Sequence, residues 1–354
     1  MTKLMVSKRT KAALLALLVN AGSAVSQHAE PIQSYDSYQS WFVVCDNTLS
    51  CVAKGFDDAR GGAEIRIERE AGASGALMAS ISSIASFLPD DIKIDGAPGD
   101  MHGAEWKYTS SQDGSSLTTN DFATVRTLVQ QLRNASKVTM GEATVPLNGF
   151  SAAVLRLDDR QGRIGGETAL LKTGLKAASD VPAAPLLPHI PSHPIPERLM
   201  PGEDAQLIAL VRADQKAVFV KEECGDTPQQ PEAYALDQAQ ALVLIPCIMG
   251  AYQGSSLAFI AQRGSGQAHR LIAPTPYLGN DPDRANAAYV TEGSFDAERG
   301  MLSMAAKGRG LADCGMLASW IWDGGAFRLS EMSLQQLCGG IEPGDWPTLF
   351  RSRQ

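Results

Sequence analysis

The sequence predicts a mainly β protein with a few helices (α+β), in which a proline-rich linker joins two β-rich domains stapled by disulfides. Several short runs alternate apolar and polar residues with the period of two that is typical of half-buried strands. Six prolines interrupt the chain within residues 181–197. The cysteines number six, an even set that indicates disulfides in an exported chain.

The first residues have the pattern of a secretory signal peptide. Four basic residues precede the apolar run AALLALLVNAGSAV, which is shorter than the roughly 20 residues of a membrane-spanning helix. We place the cleavage site between Ala24 and Ala29 and assign residues 1–26 to the signal peptide. No later stretch is long and apolar enough to span a bilayer, so we predict a periplasmic or secreted protein.

The remaining chain is strongly acidic. Without residues 1–26, 27 Lys and Arg residues face 39 Asp and Glu residues, which gives a net charge of −12. Nucleic acid and anionic membrane surfaces favour clustered positive charge, so both are poor partners, and we predict no nucleic-acid binding. The expected partner is an envelope or extracellular protein or a glycan.

The cysteines are predicted to form disulfides between sequence neighbours. Spacing favours the pairs Cys45–Cys51, Cys224–Cys247 and Cys314–Cys338 among fifteen pairings. The first pair flanks DNTLS in an apparent hairpin, where opposite Cα atoms lie about 4.5–5.5 Å apart, as a disulfide requires. An exchangeable disulfide and a metal clip stay open as alternatives, although this half offers no second cysteine pair and no nearby histidine to complete a zinc site.

The linker divides the chain into an N-terminal β-rich domain with two helices (27–180), the proline-rich segment itself (181–197) and a C-terminal β-rich domain (198–354). His189 and His193 lie in the linker four residues apart. That spacing places two ligands on one face only in a helix, and the prolines forbid a helix, so we predict no metal there.

Periodicity predicts the individual elements. SWFVVC and AEIRIERE read as strands, and apolar residues at three- and four-residue spacing predict a helix after a cap at Thr119 or Asn120. A second helix is predicted from Ser151 to Gly162. After the linker we expect strands at AQLIALV, KAVFVKEEC, AQALVLIPCIMG and SSLAFIAQR, and a hairpin that turns at Asp323-Gly324-Gly325.

The sequence contains no recognisable set of catalytic residues. Neither a nucleophile elbow nor a dinucleotide fingerprint is present, and paired cysteines leave no free thiol. We therefore predict no catalytic residue, metal or cofactor. The paired carboxylates Asp57-Asp58, Asp90-Asp91 and Asp158-Asp159 are interpreted as solvated surface.

The last 35 residues are rich in aromatic side chains. One interpretation is core packing of a C-terminal sheet. The other is an exposed platform for a glycan or protein partner, which makes Trp320, Trp322 and Trp346 a candidate binding surface.

An ordered series of motifs resembles a bacterial exported family catalogued as domain of unknown function 1176. WFVVCDNTLSCVAKGF matches its opening, and the resemblance continues through REAG, LDDRQGR, PCIMGAY, GRGLADCG, WIWDGGAFRL and WPTLFR. Ala73 and Gln253 depart from the pattern, where a proline and an asparagine are frequent. The N-terminal half also resembles, over a shorter stretch, the invasion-associated locus B family of exported β proteins.

These resemblances imply a β-rich exported protein with an interaction role and supply no catalytic residue. The sequence therefore favours a non-catalytic envelope interaction or stress-related binding module. The alternatives are an envelope glycan or peptidoglycan hydrolase and a lysozyme-inhibitor-like protein.

Overall fold

The computed structural model describes residues 32–57, 62–276, 278, 287–341 and 344–354. The predicted signal peptide (1–26) lies outside these described residues. The predicted fold class is confirmed, since the chain is mostly β with four sheets and a few helices. Among the described helices, none has the length and apolar character needed to cross a membrane.

The N-terminal half contains eleven of the described strands. Their bounds are β1 (Ser34–Tyr38), β2 (Trp41–Cys45), β3 (Cys51–Phe56), β4 (Ala63–Arg69), β5 (Leu77–Ser83), β6 (Ile92–Ile94), β7 (Ala97–Pro98), β8 (Lys107–Ser111), β9 (Gly114–Thr119), β10 (Lys137–Met140) and β11 (Ala143–Pro146). One antiparallel sheet has the order β1-β2-β3-β4-β5-β9-β8, and a smaller one has the order β11-β10-β6-β7.

Both predicted helices of this half are confirmed and pack on one face of the seven-stranded sheet. They are α1 (Phe122–Leu132) and α2 (Phe150–Arg160), and their apolar side chains share a core with those of β4 and β5. The predicted cap of α1 is wrong by one or two residues. Asp121 caps the helix because its carboxylate accepts the Thr124 amide at 2.8 Å.

The opposite face of this sheet is divided between core and surface. Its β1–β3 half is apolar, and Phe42, Val44 and Phe56 pack in a second core together with C-terminal side chains. Strand β2 is consequently buried on both faces. On β4, β5, β9 and β8 the same face carries mostly charged and hydroxyl side chains, which makes this half of the sheet surface polar, and the segment with Asp345 covers part of it.

The proline-rich segment is extended and lies along the C-terminal part of the chain. Ile190 donates its amide to the Arg353 carbonyl at 2.9 Å, and Ile195 donates to Ala297 at 2.8 Å. The Ile195 side chain is buried. The division into two domains joined by a linker stays a prediction.

Two of the strands predicted after this segment are instead helices, α3 (Glu203–Asp214) and α4 (Lys216–Lys221). AQLIALV and KAVFVKEEC are short apolar runs, which periodicity alone assigns poorly. Leu207 and Val211 are four residues apart and are both buried, as on one helix face. Glu203 and Asp204 add favourable negative charge to the first turn of α3.

An ion pair joins Glu203, at the start of α3, to Arg263, the residue that follows the strand Gly254–Gln262. Arg263 donates from Nε and Nη2 to the two carboxylate oxygens of Glu203, at 2.6 and 2.8 Å. These hydrogen bonds lower the pKa of Glu203 from 4.5 to about 2. A folded-state pKa below the unfolded value contributes stability above pH 4.5, and this contribution is lost as the pH falls towards 2.

We therefore expect Glu203→Gln to lower the urea midpoint at pH 7 and to have little effect near pH 2. The measurement is urea unfolding of both proteins at the two pH values. Asp204→Asn, which neutralises the exposed neighbouring carboxylate, is the control. It should lower the midpoint less than Glu203→Gln at pH 7, because it removes only the favourable charge of the first turn, and should change little near pH 2. An equal effect of Glu203→Gln at both pH values would contradict the assignment.

The C-terminal half contains ten described strands in two sheets. Their bounds are β12 (Glu232–Ala235), β13 (Gln240–Met249), β14 (Gly254–Gln262), β15 (Ala268–Leu271), β16 (Val290–Thr291), β17 (Ser294–Asp296), β18 (Met301–Lys307), β19 (Gly315–Trp322), β20 (Phe327–Gln335) and β21 (Thr348–Arg351). The orders are β12-β13-β14-β15, with β16 beside β14, and β17-β18-β19-β20-β21. The predicted hairpin at Asp323 is confirmed as β19–β20.

Candidate binding cleft

The loop closed by Cys45 and Cys51 is organised around one buried carboxylate. Asp46 Oδ1 accepts hydrogen bonds from the Thr48 amide and hydroxyl, both at 2.7 Å, and from the Ser50 amide at 3.0 Å. The two cysteines are opposite each other in the β2–β3 pairing and are joined by a disulfide. The loop therefore has a defined shape in which the second carboxylate oxygen of Asp46 is left for another partner.

That partner is Arg351, in the last strand of the chain. Its Nε lies 2.6 Å from Asp46 Oδ2, and its Nη2 donates to the hydroxyls of Thr48 and Ser50, both at 2.8 Å. The Asn47 side chain bonds the main-chain N–H and C=O of Arg351, both at 2.9 Å. We call this set of contacts the Arg351 clasp. It joins the first disulfide hairpin to a strand about 300 residues later.

A cleft of about 560 Å³ opens beside the clasp. One wall is formed by the ends of β3, β4 and β5, and the other by residues 345–351. The cleft lining includes the side chains of Arg66, Glu68, Glu70, Met78, Asp345 and Trp346. The volume is within the roughly 300–1,000 Å³ of typical ligand sites.

Ion pairs connect the two walls. Arg66 Nη1 donates to both carboxylate oxygens of Asp345, at 3.0 and 2.8 Å, and its Nε pairs with Glu68. Buried Lys54 pairs with Glu64 at 2.9 Å and donates to the main-chain oxygen of Asp345 at 3.2 Å. Burial alone would raise the pKa of Asp345, but the charges of Arg66 and Lys54 outweigh it and hold that pKa below its ordinary value.

A buried polar network lies beneath the β4 wall. The Asp158 side chain is fully buried, and its Oδ2 accepts the amides of Leu170 and Leu171 at 2.7 and 3.3 Å. Its Oδ1 lies 3.6 Å from Arg69 Nη1. Burial raises the pKa of Asp158, whereas burial and the nearby charge of Arg163 lower the pKa of Arg69 to about 10.

Two residues of the LDDRQGR motif tie this network to the disulfide loop and to the end of β4. The Gln161 side chain donates to the main-chain oxygens of Leu49 and Arg69, both at 2.8 Å. Arg163, also fully buried, donates to Gln161 at 2.8 Å and to the Gly72 carbonyl at 2.6 Å. The network thus fixes the backbone on which the cleft wall is built.

The structure places the predicted residues as follows. All three disulfides pair as expected, Cys45–Cys51, Cys224–Cys247 and Cys314–Cys338. The interpretation of the tryptophans as an exposed platform is wrong, because Trp320, Trp322 and Trp346 are only 0, 1 and 6% exposed. Trp320 and Trp322 pack in the second core. Among the three tryptophans, Trp346 alone lines the described cleft.

The interpretation of Asp158 as solvated surface is also wrong. The side chain is buried, whereas that of Asp159 is 61% exposed. Adjacent carboxylates on a helix point in different directions, and composition does not show which one faces inwards. The sequence signal that could have located the cleft is the series of family motifs. DNTLSC, REAG, LDDRQGR and WPTLFR all meet at the cleft or in the network beneath it.

The fold and the cleft define a mostly β protein with three disulfides and a charged cleft between the N-terminal sheet and the C-terminal strand. The chain belongs to the family described as "Protein of unknown function (DUF1176)", whose model matches residues 35–353. It is similar to the uncharacterized protein YpfG of Escherichia coli (strain K12), with 31% identity over 333 residues, 90% of this chain and 92% of that protein.

The family resemblance predicted from the motifs is confirmed by the match to the family model. No solved structure matches the chain. The resemblance to the invasion-associated locus B family stays a prediction.

Proposed function

We propose that this protein is an exported, non-catalytic binding protein of the cell envelope, and that its partner enters the cleft beside the Arg351 clasp. The observation that carries the proposal is the convergence of DNTLSC, REAG and WPTLFR on one open cleft, with LDDRQGR in the buried network beneath it. Three disulfides are typical of proteins outside the cytoplasm and support the location. The resemblance to the invasion-associated locus B family supports an interaction role.

The charges of the cleft favour binding over glycan hydrolysis. A glycosidase needs one carboxyl group with a raised pKa that reaches the substrate as a general acid. Of the carboxylates that line the described cleft, Asp345 has a lowered pKa, and Asp46 and Glu68 are paired with arginines. Glu70 is exposed to solvent and does not lie in an apolar pocket of the kind that a general acid needs. Asp158 has a raised pKa, but its side chain is fully buried beneath the wall.

Site-specific photo-crosslinking in living cells tests the proposal. A photoreactive amino acid at Met78, an exposed position of the cleft, should give a discrete crosslinked product. The same amino acid at Leu175, which is fully exposed and outside the cleft lining, is the control and should not give that product. Identical products at both positions, or none at Met78, would refute the cleft as the binding site.

A further inference from the structure

β8 forms an open edge of the seven-stranded sheet. It pairs with β9 on one side, and no strand in the described part of the chain lies on its other side. All five of its residues are exposed, which is true of no other described strand longer than two residues. The strand also lacks the features that protect edges from pairing, since it has no proline and no bulge and carries one charge, Lys107. Such an edge favours the addition of a further strand.

The geometry of the β8–β9 hairpin shows which main-chain groups this edge offers. A two-residue turn joins the strands, so Ser111 and Gly114 form the first hydrogen-bonded pair. Hydrogen-bonded pairs alternate along antiparallel strands, so Tyr108 and Ser110 direct their N–H and C=O groups away from β9. Among the described residues these outward groups have no hydrogen-bond partner. The edge therefore offers two donors and two acceptors in a regular row.

Exposed apolar side chains flank the same edge. The Tyr108 hydroxyl donates to the main-chain oxygen of Phe87 at 2.7 Å, which places the next residue, exposed Leu88, close to β8. At the turn, the main chain of exposed Ile84 lies against Gly114. Covering apolar surface stabilises association, so a strand that adds here gains more than main-chain hydrogen bonds.

The outward groups of β8 match those of a second β8 strand. In an antiparallel arrangement with Thr109 of both copies on a two-fold axis, Tyr108 of each copy faces Ser110 of the other. Both residues direct their N–H and C=O groups outwards, so each facing pair exchanges two hydrogen bonds. All the free main-chain groups of the edge are then satisfied by one closed interface with the commonest symmetry of protein dimers.

The side chains are also compatible with this register. Thr109 faces Thr109 of the other copy, and pairs of threonines are favourable across strands. Lys107 faces Ser111 of the other copy and has Asp113 of that copy as its diagonal neighbour. Asp113 lines the same face of the sheet as Thr109 and Ser111, so it is within reach of the lysine side chain. No like charges are opposed within the five paired residues.

We propose that this protein forms a two-fold dimer in which the β8 edges of two copies pair antiparallel about Thr109. Because the two-fold axis is perpendicular to the sheet, the polar faces of the two seven-stranded sheets become continuous. The inference goes beyond the proposed function and does not depend on what the cleft binds.

Cysteine crosslinking tests the register. Thr109→Cys places two thiols in a non-hydrogen-bonded pair, where Cα atoms lie about 4.5 Å apart, as a disulfide allows. We expect this variant, purified with its three native disulfides, to form a covalent dimer when oxidised glutathione is added. Ser111→Cys is the matched control, because it adds an exposed cysteine on the same face. In the proposed register the two copies of residue 111 are more than about 13 Å apart, so this variant should stay uncrosslinked.

Sedimentation velocity tests the pairing without an added thiol. We expect the mature wild-type protein to dimerise with a dissociation constant of about 10–100 µM, as suits a small interface. Ser110→Pro removes an outward N–H but no hydrogen bond to β9, so it should weaken dimerisation about tenfold or more. Ser110→Ala loses the same hydroxyl and keeps the amide, so it should dimerise as wild type. Circular dichroism shows whether both variants fold, and the crosslinking test stands if the proline variant does not.

Several results would overturn the inference. They are a wild-type protein that stays monomeric up to about 1 mM, equal crosslinking of the Thr109→Cys and Ser111→Cys variants, or equal dimerisation of folded Ser110→Pro and Ser110→Ala. A Thr109→Cys variant that crosslinks in intact cells to a different protein, and not to itself, would reject a second copy as the partner of this edge. None of these results bears on the crosslinking at Met78, so the proposed function is tested separately.

Discussion

Asp158→Ala is expected to lower the free energy of unfolding by about 3–5 kcal/mol, the usual cost of removing one partner of a buried ion pair. The substitution leaves Arg69 and Arg163 buried with no carboxylate in their network. It also removes the acceptor of the Leu170 and Leu171 amides, and unpaired buried donors add to the loss. Denaturant unfolding at pH 7 measures the effect.

Asp159→Ala is the matched control, because it removes the same group from the next residue of the same helix. The Asp159 carboxylate is exposed and pairs with Arg156 at 3.0 Å, so we expect a loss of less than about 1 kcal/mol. Similar losses for the two variants would show that the buried network does not stabilise the fold as we describe. A second check is Arg69→Met combined with Asp158→Ala, which should recover part of the loss.

Replacing Cys45 and Cys51 by serine together should lower the free energy of unfolding by about 2 kcal/mol, the loop-closure contribution of so short a disulfide loop. The Arg351 clasp should also loosen, because the loop that presents Asp46 and Asn47 is no longer closed covalently. Hydrogen exchange read by mass spectrometry checks this second effect. Exchange should become faster over residues 347–353, where the Arg351 amide donates to Asn47.

The control replaces Cys224 and Cys247 by serine, which removes a disulfide elsewhere in the chain. That variant should lose stability as well, but exchange over residues 347–353 should keep its wild-type pattern under native conditions. If both double variants accelerate exchange there equally, the clasp depends on global stability and not on the first disulfide.

Local patterns predicted much of the fold, because they report on neighbours in sequence. The DGG turn of the β19–β20 hairpin and the apolar stripe of α1 were both recognisable in this way. The pairing of Cys45 with Cys51 followed from hairpin geometry. The strand predictions for the segments that form α3 and α4 were wrong, because a short apolar run fits either a strand or a buried helix face.

The cleft could not be predicted from local patterns, because its parts meet only through tertiary packing. Asp46 and Arg351 are about 300 residues apart, and nothing near either residue indicates the other. The alternation in AEIRIERE predicted a half-buried strand, and Arg66 and Glu68 lie on its polar face. It could not show that a C-terminal segment with Asp345 would cover part of that face.

The Arg351 clasp also places a constraint on the order of folding. The loop that receives Arg351 lies about 300 residues before it in the chain. Until the strand that carries Arg351 docks, the Asp46 carboxylate keeps its hydration shell, so the first hairpin does not reach its final state alone. A chain truncated before residue 351 would leave that hairpin without its partner.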